Sequence, residues 1–280
     1  VNEVLPLSYA ESVRRLALGL EPLDALRGGR VGHPVRVDLA GDPDFEPRGS
    51  REPYRHAVPA GGPRPALSRH DSCLHALLYH PALAGQAEFV VYDHGRRYVP
   101  RRLRVPLAPA GEADARPAGH RVRRPALFPG AAYDADATAT GLRGRVLRSG
   151  APMAWARVEA RMPASNALVG RAHGDDRGEF LLLLWPGAAP FGDSADPLEV
   201  RVVVYGPAVA SPIASVPPGK VSFASLPVEE VPVPGQADPV STGEALPTGY
   251  AAPLSATRVL PFRLGRILAG AEVAPFEFLL

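Results

Sequence analysis

The 280 residues carry 31 Lys and Arg against 29 Asp and Glu, and the resulting net charge of +2 is too small to draw in nucleic acid by charge alone. With 33 Pro and 28 Gly there is little room for long helices, and the length suits two compact units, each with its own core. The single cysteine, Cys73, excludes an intramolecular disulfide framework, and no apolar run approaches the ~18 residues of a membrane span.

Residues 1–9 lack the basic and apolar regions of a secretory leader, so the expectation is a cytoplasmic protein, or one released without a signal peptide. Residues 12–20 (SVRRLALGL) have helical periodicity at their start, but Gly19 and Pro22 would end a helix after barely two turns, which favours a strand. A turn cluster at 24–29 (DALRGG) and an extended HPVRVDL at 33–39 follow, and 42–69 is rich in Pro, Gly and charge, as in a long loop. Residues 70–80 (HDSCLHALLYH) predict a short helix with Cys73, Leu74, Leu77 and Leu78 on its apolar face. EFVVY at 88–92 and YVPRRLRVP at 98–106 flank Asp93-His94-Gly95, which predicts a hairpin. Pro100 would put the second strand on a sheet edge.

Residues 1–105 are thus expected to form a β-sandwich-like domain with one short helix. Residues 106–140 read as a Pro/Gly-rich linker, although Leu127, Phe128 and Tyr133 are bulky enough to pack on a domain. From 141 to 185 each extended run has turn chemistry at its ends. LRGRV enters Ser149-Gly150, WARVEAR leaves with period-two side chains, and GDDRG at 174–178 leads into FLLLLW. LEVRVVVY at 198–205 is a further strand. From 211 to 280 no period survives; prolines keep the chain extended, while Phe262, Leu264, Ile267, Phe276 and Phe278 are too apolar for a solvated tail. That pattern predicts an arm laid on another surface, with a neighbouring subunit preferred over the chain's own domains.

No side-chain set converges on a reaction in the sequence. His70, Asp71, Cys73, His75 and His80 form the densest reactive cluster, but a helix would spread them, leaving neither a metal site nor an oriented Cys-His pair. Asp175 and Asp176 sit before Gly178 as in an ordinary turn rather than a calcium loop. Arg96, Arg97, Arg101, Arg102 and Arg104 alternate along an extended segment, as on a solvated or subunit-contact face. Trp155 and Trp185 read as core, or as a stacking platform for sugar.

Leu142-x-Gly144-x-Val146, Gly150-x-Pro152, Ala156-Arg157-Val158 and Asp175-Asp176-x-Gly178-x-Phe180 resemble the carboxypeptidase regulatory-like domain, a transthyretin-like Greek-key sandwich. The resemblance implies a fold for residues 141–205 and no chemistry. The order of VPRRLRVPL, FPGAAY and then this unit is similar to accessory structural proteins of bacterial contractile injection systems, which are phage-tail-like particles.

The expectation is therefore a mainly β protein of tandem β-sandwich domains. Residues 1–105 form the first, 106–140 the linker, 141–210 the second, and 211–280 the extended arm. It is expected to be a non-enzymatic structural or adaptor protein without cofactor or metal. The resemblance implies that its partners are tube, sheath or baseplate proteins, or further copies of itself. Its contact residues are expected to be Phe262, Leu264, Ile267, Phe276, Phe278, Arg101, Arg102 and Arg104. The alternatives are a cell-surface glycan- or protein-binding module and, last, a hydrolase using the Cys73 region.

Overall fold

The chain is mainly β, with helix limited to single 3-10 turns among the described residues. The computed structural model describes residues 15–39, 67–69, 74–80, 83, 85–112, 115–187, 197–208, 223, 225–250 and 256–278. Nineteen strands are named in chain order: β1 Leu16–Leu20, β2 Leu23–Asp24, β3 Arg36–Leu39, β4 Leu67–Arg69, β5 His75–Leu78, β6 Gln86–Tyr92, β7 Arg101–Pro106, β8 Val122–Arg123, β9 Ala126–Leu127 and β10 Gly141–Arg148. The remainder are β11 Ala151–Pro152, β12 Arg157–Arg161, β13 Leu168–His173, β14 Glu179–Leu183, β15 Leu198–Tyr205, β16 Val228–Glu230, β17 Ala256–Phe262, β18 Ile267–Leu268 and β19 Phe276–Phe278.

Two sheets, ordered β4-β5-β1-β8 and β16-β7-β6-β3, supply the first core. Leu18, Leu20 and Leu77 come from one, and Val37, Phe89, Val91, Leu103 and Val105 from the other. Period two governs the choice: along β7, Leu103 and Val105 are buried while Arg102 and Arg104 are only half-buried. The expected hairpin is present as β6 and β7, but β7 is not an edge. Pro100 lies just before it, where a missing N–H breaks no ladder, and β16 pairs in parallel along its other side.

The helix expected at 70–80 is not formed over its described part, 74–80. Residues 75–78 are a strand paired antiparallel to both β1 and β4, and Leu77 enters the first core. A helix of that length is marginal alone, and two flanking strands satisfy its backbone instead. Residues 70–73, with His70, Asp71 and Cys73, lie outside the described residues, as do 12–14 and most of the loop expected at 42–69.

The second core lies between the sheet β13-β12-β15-β17 and a sheet built on β10, which pairs with β11, β14, β18 and β19. Gly144 is needed there for space: a Cβ would sit 2.3 Å from the Phe180 ring. Gly178 has φ +74 and lies against the Val146 and Met153 carbonyls, so the turn before β14 excludes a side chain on both counts. The uninterrupted Leu run of β14 has a physical reason. Leu182 faces the second core while Leu181 and Leu183 face the first, so the strand is buried on both sides.

The stretches expected to be linker and arm are woven into these sheets. Val122 and Arg123 pair in parallel with β1, Ala126 and Leu127 with β2, and Leu127 and Tyr133 are buried in the first core. β17 runs antiparallel to β15 from Leu198↔Phe262 to Val204↔Ala256, and β18 and β19 add to β10 in parallel. The surface that takes up the C-terminal segment is the chain's own. Phe262 and Phe276 are fully buried in the second core, so Phe262→Ala is expected to cost about 3–5 kcal/mol in urea unfolding. Truncation before Ala256 is expected to abolish the cooperative melt of the second core, read by near-UV circular dichroism.

Candidate functional site

The densest polar constellation lies where the two sheet pairs meet, and it is built around Glu229 of β16. Arg101, the first residue of β7, is fully buried and grips this carboxylate with two bonds, Nε to Oε1 at 3.1 Å and Nη2 to Oε2 at 2.7 Å. Its Nη1 donates to the carbonyls of Ala126 (2.8 Å) and Ser241 (3.0 Å), and Nη2 donates to that of Val240. Arg157 of β12 donates from Nη2 to Oε1 of Glu229 at 3.2 Å and from Nη1 to the Trp155 carbonyl at 3.0 Å. Burial pushes the Glu229 carboxyl up, but the two guanidiniums outweigh it and hold it below the usual carboxylate range. One carboxylate thus joins strands from both sheet pairs.

Around this centre the packing is aromatic. Phe128 stacks on the buried His173 of β13, with ring centroids 3.8 Å apart. Trp155 is 2 % exposed and packs with Val90, Tyr92, Val99 and Leu226, while its Nε1 donates to Ser225 Oγ at 2.9 Å. It holds φ of 64°, an uncommon backbone state for a bulky residue. Its carbonyl also accepts the Tyr250 hydroxyl at 2.8 Å, which helps to hold that conformation. A face so enclosed has no room for a stacked sugar, whereas Trp185 is half-buried.

Two further polar nodes brace the same region. Asp24 is buried and accepts from the backbone N–H groups of Leu26 and Arg27 and from the hydroxyls of Tyr98 (2.9 Å) and Tyr133 (2.8 Å). Burial, and then the bond to Asp24, push both phenols above their ordinary range, so both stay protonated donors. Arg96, in the turn after β6, donates to Asp176 at 2.8 Å in the turn before β14. Asp175 closes its own turn by accepting from the N–H groups of Arg177 and Glu179. Among the described residues no group of three or more His, Cys, Asp and Glu could hold a metal ion. No helix among them is long and apolar enough to cross a membrane.

The residues singled out from the sequence do not come together. Arg101 is interior rather than on a solvated or subunit-contact face. Arg102 and Arg104 flank Glu88, and Arg104 also reaches Glu230, a self-neutralised surface ladder. Phe262 and Phe276 are core, Ile267 is half-buried against the first core, and Leu264 is 48 % exposed. Phe278 pairs through its backbone with Arg148; its side chain lies outside the described residues. Glu229 and His173 had no signal of their own, Asp24 was legible only as a turn residue, and Arg157 only as part of an alternating strand. The WARVEAR alternation puts Arg157 opposite to Val158, as on any solvated face, and only the packing of a second layer makes that face interior.

The chain matches no family model, no curated protein and no solved structure. The chemistry of the constellation is that of a lock, since every Arg101 nitrogen and both Glu229 oxygens are engaged, with Arg157 Nε the nitrogen of the bridge left without a partner among the described residues. Glu229→Gln is expected to destabilise by about 3–5 kcal/mol in urea unfolding, because two buried guanidiniums lose their counter-charge. Arg101→Met, which leaves Glu229 paired with Arg157, is expected to cost less.

Proposed function

We propose that this chain is a non-enzymatic structural or adaptor component of a phage-tail-like contractile particle, in a cap, collar or baseplate-associated position. In this reading the two sheet pairs are tandem β-sandwiches, and residues 141–205 are the transthyretin-like, carboxypeptidase regulatory-like module that their motifs resemble. The observation that carries it is the buried Arg101–Glu229–Arg157 bridge, which sits where the C-terminal segment is stitched into both sheet pairs. A part that braces a contracting tube needs modules that stay together under load. A two-cation bridge cut off from water is hard to part, because separating it strands a buried charge.

Assembly then falls to the surface. Among the described residues from Ala256 onward, Val259 (51 % exposed) and Leu264 (48 %) are the large apolar side chains left open, and partner contact is assigned to them in place of the buried Phe262 and Phe276. Tube, sheath or baseplate proteins are the partners of this reading.

With the chain tagged in its own cells, the wild type is expected to co-sediment with sheath and tube proteins. Val259→Asp/Leu264→Asp is expected to melt within about 1 kcal/mol of wild type and to lose at least tenfold of that recovery. A wild-type chain that sediments alone would end the proposal.

A further inference from the structure

His173 is fully buried on the face of β13 that looks away from the second core, and neither ring nitrogen has a hydrogen-bond partner among the described residues. Its neighbour Ala172 faces the second core, so His173 points into the joint between the sheet pairs. Phe128 covers one face of the ring at 21° between planes. Gly243 closes in as well, since a Cβ there would lie 3.5 Å from Nε2 and collide with the Phe128 ring. These two covers are tied to each other: Ala126 N donates to the Ser241 carbonyl at 2.8 Å, and Arg101 binds the carbonyls of Ala126, Val240 and Ser241. They form one layer that belongs to the first sheet pair, since Ala126 and Leu127 pair with β2 and Val99 N donates to the Phe128 carbonyl, and this layer rests on β13 and is bound by Arg101.

The charges around the imidazole are mostly of one sign. Arg157 stands opposite it on β12, Arg171 lies on its own strand, and Arg101 approaches from β7. The acidic groups nearby are already engaged. Glu229 of β16 binds Arg101 and Arg157, and Glu159 of β12 accepts from Arg161 and Tyr205 and lies 4.0 Å from Arg171. From the 238–250 segment, Asp238 accepts from Ser241 N and Glu244 acts on Arg171. Tyr250, pushed up to about 12 mainly by burial, stays a neutral donor. A neutral imidazole fits this setting as a flat apolar plate. A charged one would have two N–H groups and no acceptor. Phe128 attracts a cation weakly through its face but accepts no ordinary hydrogen bond.

We propose that His173 is an acid-operated release for the joint. A proton taken up by its imidazole sets a further cation beside Arg101, Arg157 and Arg171, and the charge is relieved when residues 126–130 and 238–243 lift from β13 and admit water. β14, with one face in each core, keeps the two sheet pairs tethered, so the outcome is a joint loosened around β13 and not a melted fold. Burial, and then the three arginines, hold the folded-state imidazole well below its ordinary 6.5. The closed form therefore binds fewer protons than the open one. Closure is fully stable above about pH 6.5 and weakens as pH falls toward the folded-state value.

Two other imidazoles compete as acid-sensitive groups: burial, then Arg69, lower His75 of β5 to about 4, and burial, then Arg36, lower His94 in the turn after β6, so His94→Phe is run beside His75→Phe as a control. The test is a titration from about pH 8 to 4 by small-angle X-ray scattering, with far-UV circular dichroism as the monitor of the sheets. Wild type is expected to expand on acidification before the strand signal falls. In His173→Phe and His173→Gln the expansion should vanish or move down by about one pH unit or more, while His75→Phe and His94→Phe keep the wild-type profile. Should the larger Phe not fold in place of His173, the Gln variant decides alone. Expansion unchanged in a folded His173 variant would overturn the proposal. So would expansion removed by His75→Phe or His94→Phe, or a wild type that loses its strands without expanding first.

Discussion

A single carboxylate, Glu229, cannot be left buried without a cationic partner, and much of the architecture follows from that constraint. An isolated ion in a protein interior costs several kcal/mol in lost hydration, and a neighbouring cation compensates only when the remaining donors and acceptors are also satisfied. Here they nearly are: Arg101 places its other N–H groups on three carbonyls, and Arg157 places one on the Trp155 carbonyl. Those carbonyls belong to segments distant in sequence. The bridge is therefore complete only when residues near 101, 126, 157, 229 and 240 have all arrived, which makes it a check on assembly as well as a bond.

The same logic explains why the C-terminal segment is integral. β16 carries Glu229 to the side of β7, β17 extends the sheet of the second core, and β18 and β19 lie along β10. Proline removes the strong period from this stretch, and it needs none: each piece is added to an existing strand, so the host provides the ladder and only a few side chains, Phe262 and Phe276 among them, need to point inward. β14 ties the units from the other direction, with one face in each core. Asp24 fastens the turn after β2 to Tyr98 and Tyr133 and so positions the 126–133 stretch that carries Phe128.

Among the described residues, many charged side chains are turned inward or toward one another. Even the surface arginines Arg102 and Arg104 are matched by Glu88 and Glu230. This suits the structural role proposed above, in which the chain would hold its shape among partners. It also places the fully buried imidazole of His173, which has no hydrogen-bond partner among the described residues, at the seam, where a change of charge acts on both sheet pairs.

Local chemistry was enough to read the β-rich class, the β6–β7 hairpin and the run of strands from Gly141 to Leu183, because alternation and turn residues act over neighbours in the chain. The apolar character of Phe262 and Phe276 was legible too, since residues that large do not stay in water. What they would touch was not. Whether His75 lies on a helix or a strand depended on β1 and β4 standing beside it. Whether Arg101 met solvent or Glu229 depended on a strand that follows more than a hundred residues later. Period-two patterning distinguishes the two faces of a strand, but it is silent on whether a second layer covers the polar one, and that is a matter of long-range packing. The sequence by itself determined which segments are extended and which side chains must hide; only the tertiary structure decided which charges hide with them.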